Sequence, residues 1–326
     1  MKLVYYSLSM SGDEYDNNRV FQLINSIKSL RKFNSSIRVQ LHLFGELPPS
    51  IVEKLVRLNV HIVPFESYTT LIEQSFAGVG KWLSRYPVMH KFLTMQTFIR
   101  EKLDQVLYLD SDTYINADIN ILFNKYNEAD LYAREEPGCR LSKIGYHPDY
   151  LNEEKLFELA TQQGCNYVAP FNSGVVLMNQ DVWKRMLDHS NKYIGYVAGC
   201  SLWIEQKINK SDVTYMGYQF RTNFPDLNYL HDHKSELSKY LESIDPMPFP
   251  SVNYWIKEQV ALWLTLGRIE DVAIDYFHMN DVLQGGEELN APGQLKMPVV
   301  SHYFSHNTRA FLDAVNANSS LYRKPG

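Results

Sequence analysis

The sequence predicts an α/β protein with a layered sheet, because strand-like runs alternate with helical patterns along the first part of the chain. Lys2–Ser9 has the composition of a first strand, and Arg38–Phe44 alternates like a second, with Val39, Leu41 and Leu43 on one face. Between these strands, apolar residues recur at helical spacing, at Val20, Leu23, Ile24, Ile27 and Leu30. Where successive strands are parallel, we expect right-handed crossovers.

The later elements continue this alternation. Further strands are predicted over residues 60–65, 106–109, 130–133 and 175–178. Helices are predicted from Pro49 through Val56 and over residues 89–103, 179–187 and 256–266. This order of elements describes one large sheet with helices packed against it.

The strand over 106–109 runs directly into Asp110, Ser111 and Asp112. Two carboxylates at the end of a buried strand would face the crevice in which open α/β sheets bind their ligands. Carboxylate oxygens suit Mg²⁺ or Mn²⁺, which usually also take oxygens from a substrate's phosphates. The functional interpretation is a metal–diphosphate site. The structural alternative is an acidic turn in which Asp112 or Thr113 starts the next element.

The same Asp-x-Asp pattern also resembles that of the haloacid-dehalogenase-like phosphatases, in which the first aspartate is a nucleophile and the second a general acid. In those enzymes a threonine or valine follows two residues after the second aspartate, whereas this chain has Tyr114 there. The motif also lies a third of the way along the chain rather than near its start. The phosphatase is therefore kept as the alternative.

Three positions before this motif are candidates for contact with a nucleotide. Asp13 and Tyr15 lie in the loop after the first strand, where mononucleotide-binding α/β domains commonly hold a base or ribose. A solvated loop of turn residues is the alternative. Lys91 lies near the start of the helix that leads to the Asp-x-Asp strand, and it could reach a diphosphate as a point charge. The alternative for Lys91 is an ordinary helix-surface lysine.

Two further motifs contain side chains suited to binding. Asn172 and Ser173 precede Gly174 in the run FNSGVVLMN, where they could bind sugar hydroxyls or form an Asx or Ser turn. His302 and His306 have the i, i+4 spacing of a helical metal pair, but the residues before His302 are strand-like. We therefore expect His302 alone to join the two aspartates on one metal ion.

The bulk properties exclude several classes of protein. The net charge of −5 over 326 residues argues against a general affinity for nucleic acid. Three scattered cysteines, without a CxxC spacing, argue against a thiolate zinc site and suit a reducing compartment. No apolar run approaches the roughly 18 residues that span a bilayer, and the N-terminus has no cleavage site of a signal peptide. A cytoplasmic location is expected, and peripheral contact with a membrane stays open.

Together these motifs resemble the GT-A glycosyltransferases, and most closely the retaining family 8, which includes glycogenins and bacterial lipopolysaccharide galactosyl- and glucosyltransferases. VLYLDSDTYINADI resembles the family's DxD strand, FNSGVVLMN its FNxGVxLIN, Glu258-Gln259 its Asp-Gln pair, and VVSHYFSHNTRAF its SHYxGxxKPW, in family order. The resemblance implies a GT-A fold, a Rossmann-like mixed sheet flanked by helices. It also implies a single domain over 1–311, with a nucleotide-binding part to about 135, an acceptor and donor-sugar part from about 136, and a tail over 312–326.

The activity that the resemblance implies is metal-dependent, retaining transfer of a hexose from a nucleotide diphosphate sugar to an acceptor hydroxyl. UDP is the favoured nucleotide, and the acceptor would be a saccharide, a lipid-linked saccharide or a protein. A catalytically silent sugar-nucleotide-binding protein is the further alternative.

Site residues follow from the same resemblance, position by position. The ligands of Mn²⁺ or Mg²⁺ would be Asp110, Asp112 and His302. The nucleotide would contact Asp13, Tyr15, Lys91, Asp110, Ser111 and Arg309. The donor sugar would contact Asn172, Ser173 and Glu258, and the catalytic positions would be Gln259 and Glu258. The chain departs from the family in its last motif, where the glycine is replaced by Ser305 and KPW by Thr308, Arg309 and Ala310. Because of this departure, the sequence does not decide whether the last motif still clamps the diphosphate.

Overall fold

A mixed sheet of seven strands forms the centre of the described part of the chain. The computed structural model describes residues 1–10, 16–64, 90–98, 101–136, 153–179, 182–197, 257–285, 297–303 and 308–320, together with Ser235. The strands of this sheet are β1 (Lys2–Ser9), β2 (Arg38–Phe44), β3 (Val60–Pro64), β4 (Gln105–Leu109), β6 (Leu131–Glu135), β7 (Phe171–Asn179) and β8 (Ile274–Tyr276). A smaller sheet of three strands consists of β5 (Thr113–Ile115), β9 (Val282–Gln284) and β10 (Val300–His302).

Helices connect and cover these strands. They are α1 (Asp16–Phe33), α2 (Pro49–Arg57), α3 (His90–Leu93), α4 (Asn120–Lys125), α5 (Glu153–Gln162), α6 (Val182–Asp188), α7 (Lys257–Gly267) and α8 (Thr308–Ser320). Residues 190–197 are also helical. No helix in the described ranges is long and apolar enough to span a membrane.

The order of the strands in the large sheet is β3-β2-β1-β4-β7-β6-β8. Neighbours from β3 to β4 are parallel, whereas β7 runs antiparallel to both β4 and β6. The carboxyl ends of β4 and β6 therefore meet the amino end of β7 at one edge of the sheet. This single edge holds the residues that follow β4 and β6 and those that begin β7.

The predicted alternation of α/β elements is confirmed, with one change in burial. Residues 39–44 of β2 were expected to bury one face, but the structure buries both. The reason is the position of β2 between β1 and β3, with apolar clusters on both faces of the sheet. The second face of β2 carries polar Gln40 and His42, which are buried and hydrogen-bond to each other at 3.2 Å.

The helix predicted over residues 89–103 is shorter in the structure. Helix α3 ends at Leu93 and continues as a 3₁₀ turn, Thr94–Phe98. The hydroxyl of Thr94 donates to the carbonyl of Lys91 at 3.3 Å, and that of Thr97 donates to the carbonyl of Thr94 at 2.9 Å. Side-chain bonds of this kind compete with helical hydrogen bonding, which apolar spacing alone does not reveal.

Two other boundaries differ from those predicted. The strand predicted over 175–178 begins at Phe171, so Asn172 and Ser173 lie within β7 rather than in a turn before it. Strand β6 likewise extends through Arg134 and Glu135, past a bulge that follows Ala133. The predicted end of the domain at residue 311 stays a prediction; residues 312–320 form part of α8.

Candidate functional site

Polar and charged side chains converge at the edge where β4 and β6 end and β7 begins. Asp110 follows β4, and its backbone N–H donates to the carbonyl of Gly174 in β7 at 2.8 Å. Glu136 follows β6, and Glu258 enters from the first turn of α7. Glu136 and Glu258 therefore bring carboxylates from two further segments beside the Asp-x-Asp motif.

Asp110, Asp112 and His302 form a compact group of potential metal ligands. One ligand atom of each lies within 4.8 Å of the others. The Nε2 atom of His302 is 3.3 Å from Oδ1 of Asp112 and 3.7 Å from Oδ2 of Asp110. Two carboxylates and one imidazole make a donor set that suits Mn²⁺ or Mg²⁺, so the residues present fit the cation that the sequence predicts.

The small sheet brings His302 to the aspartates across 190 residues of sequence. Strand β10 pairs antiparallel with β5, so that His302 lies opposite Thr113. The next residue, Tyr303, donates its backbone N–H to the carbonyl of Asp112 at 3.1 Å. The histidine therefore reaches the motif from a strand, as expected, and not from a helix.

Gly174 provides the space that His302 occupies. A Cβ atom at this position would lie 2.1 Å from Cε1 and 2.5 Å from Nε2 of His302, closer than any side chain permits. The imidazole therefore packs directly on the bare backbone of β7. The glycine in FNSG is required by contact with a residue from the far end of the chain.

Lys91 is placed against Asp110 and not on a helix surface. Its Nζ atom is 2.9 Å from Oδ1 and 3.0 Å from Oδ2 of Asp110, and 3.5 Å from Oγ of Ser173. Burial alone would lower the pKa of Lys91, but the carboxylates of Asp110 and Glu258 outweigh it and raise the pKa. Lys91 is thus a cation at the centre of the site.

Electrostatics keep Asp112 in the ionised form that a metal ligand needs. Burial alone would raise the pKa of Asp112. The imidazole of His302 and the ammonium of Lys91 outweigh that effect, so the pKa lies below its ordinary value.

The residues predicted to bind the sugar lie next to this group. Oγ of Ser173 is 3.5 Å from Oε1 of Glu258, and both residues are buried. The side-chain oxygen of Asn172 accepts the backbone N–H of Gly174 at 2.9 Å. With its amide nitrogen facing these acceptors, Gln259 donates to Oε2 of Glu136 at 2.8 Å and to the carbonyl of Phe171 at 2.9 Å.

Glu136 is a site residue that the sequence analysis did not identify. It is buried, and burial raises its pKa to about 7, helped by the nearby charge of Glu258 and opposed by a hydrogen bond from Asn172 and by the charge of His302. The available signal was its place directly after a strand, the same signal that identified Asp110. This signal alone does not place Glu136 near Asp110, because the sequence does not reveal that β6 and β4 flank the same strand.

The raised pKa of Glu136 predicts how stability depends on pH. The unfolded chain ionises Glu136 near 4.5, and the folded chain near 7. The protonated carboxyl thus makes its full contribution to the free energy of unfolding below about pH 4.5. This contribution, roughly 3 kcal/mol, is lost as the pH rises to about 7. Urea unfolding at pH 5 and pH 8 should show that Glu136→Gln loses less stability than the wild type over this interval. Equal losses of stability in the two proteins would contradict a raised pKa of Glu136 in the folded chain.

The structure describes only some of the remaining residues that the sequence analysis considered. Asp13, Tyr15 and His306 lie outside the described residues. Ser111 is half-buried in the turn between the two aspartates. Arg309 is exposed on the first turn of α8 and contacts none of the site residues in the described ranges. The diphosphate clamp therefore stays a prediction.

A pair of histidine variants tests the contribution of the C-terminal segment. His302→Ala is expected to weaken Mn²⁺ binding by about tenfold or more, because it removes one of three potential ligands. His306→Ala should have a much smaller effect, and exposed His61→Ala serves as a control on β3. Calorimetric titration with Mn²⁺ measures all three. Equal losses from His302→Ala and His306→Ala, or none from either, would indicate a structural role for the segment.

Comparisons with known proteins identify the family and the fold of the chain. The sequence pattern of glycosyl transferase family 8 matches residues 13–211, more than half of the chain. Among solved structures, mouse xyloside xylosyltransferase 1 in its apo form superposes with a TM-score of 0.50 at 12% identity, covering 94% of this chain and 99% of that one. No curated protein sequence matches the chain.

Two further solved structures are also similar. The galactosyltransferase LgtC, solved with donor and acceptor sugar analogues, has 14% identity and a TM-score of 0.46, with 100% of this chain and 98% of that chain covered. The glycosyltransferase GlyE of Streptococcus pneumoniae has 15% identity and a TM-score of 0.47, with 96% and 59% covered.

Sheet, helices and family match together define an enzyme of the GT-A fold, a glycosyltransferase. The chain belongs to glycosyltransferase family 8. The predicted fold class and enzyme class are thereby confirmed, and the phosphatase alternative is set aside.

Proposed function

We propose that the protein transfers a hexose from UDP-sugar to an acceptor hydroxyl, with retention of the anomeric configuration and dependence on Mn²⁺ or Mg²⁺. The observation that supports this most directly is the group of Asp110, Asp112 and His302 beside the cation Lys91. A site with two carboxylates, one imidazole and one lysine suits a divalent cation together with a diphosphate.

Two positive charges would stabilise the leaving diphosphate: the cation held by the three ligands, and the ammonium of Lys91. A divalent cation held by Asp110, Asp112 and His302 would supply positive charge against the diphosphate that leaves the sugar. Lys91 already lies within 3.0 Å of Asp110 and 3.5 Å of Ser173, so it stands between the metal ligands and the sugar-binding residues. We infer that its ammonium binds a diphosphate oxygen and balances the charge that develops there.

The remaining residues would hold the sugar. Glu258 and Ser173 present a carboxylate and a hydroxyl within 3.5 Å of each other, which suits the hydroxyls of a hexose. Gln259 is held by Glu136 and the carbonyl of Phe171, so its amide has a fixed orientation beside these groups. Fixed donors and acceptors orient the donor sugar and the acceptor hydroxyl for reaction.

We expect retention of configuration, and the product tests it. In the proposed reaction, the departing phosphate oxygen accepts the proton of the acceptor hydroxyl on the face from which it leaves. The anomeric proton coupling in the NMR spectrum of the first-formed product should show an α-linkage from an α-linked UDP-hexose. A β-linked product would contradict the proposal and would make Glu258 the general base of an inverting enzyme.

A panel of nucleotides tests the choice of UDP. Thermal unfolding is measured with UDP, GDP, ADP and CMP and their sugar conjugates, each with and without Mn²⁺, because a ligand of the native state raises the midpoint. UDP and one UDP-sugar should raise it, and only with Mn²⁺. A larger shift with another nucleotide would overturn the choice. Tight UDP binding without turnover on any acceptor would identify the silent binding protein.

The acceptor and the location remain predictions from sequence. A saccharide, a lipid-linked saccharide or a protein is the expected acceptor, in the cytoplasm. Much of the predicted acceptor and donor-sugar part, from about residue 136 to 311, lies outside the described residues.

A further inference from the structure

The aromatic cluster behind the metal ligands consists of Tyr114, Tyr303 and Phe311. Phe311, on α8, is fully buried, and its ring meets that of Tyr303 edge-on at 5.6 Å and that of Tyr114 edge-on at 6.3 Å. Edge-to-face contacts at these distances are favourable. One side chain from the C-terminal helix therefore contacts both strands on which the ligands depend.

The register of the small sheet relates this cluster to the metal ligands. Tyr114 lies two residues after Asp112, and Tyr303 directly after His302. Successive side chains of a strand point to opposite faces, so Tyr303 lies on the face opposite to His302. The backbone of Tyr303 also donates to the carbonyl of Asp112 at 3.1 Å. The aromatic cluster thus covers one face of the strand pair, and His302 lies on the other.

The small sheet needs such a cover. Each of its three strands has only three residues. A sheet this small is not stable by itself and depends on packing against a helix or a larger core. The core of the large sheet buries Ile115 and Val300 on one side. On the side of Tyr114 and Tyr303, the aromatic cluster comprises Phe311 together with partly buried Ala314 and Val315, all on α8.

We propose that Phe311 is a positioning residue of the metal site: it holds the backbones of β5 and β10 in register, so that His302 stays within ligand distance of Asp112. The inference rests on the proposed metal site and adds to it a role for the C-terminal helix. Without the ring of Phe311, β10 would lose its support on one face, and the imidazole would sample positions away from the aspartates.

Two variants of Phe311 and one control test the proposal. Phe311→Ala removes the ring, Phe311→Leu keeps an apolar side chain without the edge contacts, and Leu312→Ala alters an exposed neighbour on the same helix. Mn²⁺ affinity is measured by calorimetry without nucleotide, alongside the thermal midpoint. We expect about tenfold weaker Mn²⁺ binding for Phe311→Ala, a smaller loss for Phe311→Leu, and wild-type affinity for Leu312→Ala.

The outcomes separate positioning from simple packing. Phe311 variants that unfold at lower temperature but bind Mn²⁺ like the wild type would overturn the proposal. If Phe311→Ala does not fold, Phe311→Leu decides by the same criterion. The NMR signal of the His302 imidazole, assigned by its absence from the spectrum of His302→Ala, reports on the surroundings of His302 without any metal. This signal should shift in Phe311→Leu. A wild-type protein that binds no Mn²⁺ would contradict the proposed metal site, whereas an unchanged His302 signal would contradict the role of Phe311.

Discussion

Asp112→Asn is expected to weaken Mn²⁺-dependent binding of UDP by about 100-fold while the fold persists. The change removes one of the three potential ligands and its negative charge, but it keeps the size of the side chain. Outer-shell changes alone commonly cost about 10- to 100-fold in metal affinity, so the loss of a direct ligand should reach at least the upper end. Asp110 still faces Lys91 and His302, which limits the cost to the fold.

A matched control makes this result specific. Asp313→Asn is the same chemical change at an exposed position on α8, and it should leave Mn²⁺ and UDP binding unaltered. Calorimetry with Mn²⁺ and then with UDP measures both variants, and circular dichroism verifies the fold. An Asp112→Asn protein that binds Mn²⁺ and UDP like the wild type would remove Asp112 from the metal site.

Gly174→Ala is expected to have a comparable effect on metal binding, although Gly174 has no side chain to bind anything. The added methyl would lie 2.1 Å from Cε1 of His302, so the imidazole must move. Its Nε2 atom now lies 3.3 Å from Asp112, and displacement by an ångström or more would remove it as a ligand. We expect Mn²⁺ affinity to fall by about 10- to 100-fold.

Gly164→Ala is the matched control for this change. Gly164 has a φ of +65°, and nothing lies within 4 Å of the Cβ atom that alanine would add. Alanine there should cost about 1 kcal/mol of stability through backbone strain and leave Mn²⁺ affinity unchanged. The two variants should thus separate stability from metal binding. A Gly174→Ala protein with wild-type affinity for Mn²⁺ would show that His302 does not act from its present position.

Local features of the fold were predictable from the sequence because they depend on neighbours along the chain. The strands β1, β2 and β4 and the helix α1 follow from runs of β-forming residues and from helical spacing. The helix over 89–103 was overextended because the hydroxyls of Thr94 and Thr97 bond to nearby carbonyls, an effect that apolar periodicity does not contain.

The candidate site was predictable only where a motif identified its residues. Asp110 and Asp112 follow an apolar strand, and His302 follows strand-like residues in a motif that also resembles family 8. Glu136 was missed because its position depends on the pairing of β6 with β7, which is not local. The contact of Gly174 with His302 depends on the pairing of β5 with β10 across 185 residues or more, and no local pattern contains it.

The most direct test of the central claim is a calorimetric titration of the wild-type protein with UDP, first with Mn²⁺ present and then with the metal removed by EDTA. If Asp110, Asp112 and His302 hold a cation that binds the diphosphate, UDP should bind with Mn²⁺ and show no measurable binding in EDTA, and added Mn²⁺ in excess should restore it. Equal affinity for UDP in both conditions would contradict the metal site, and no UDP binding in either would contradict the proposed donor.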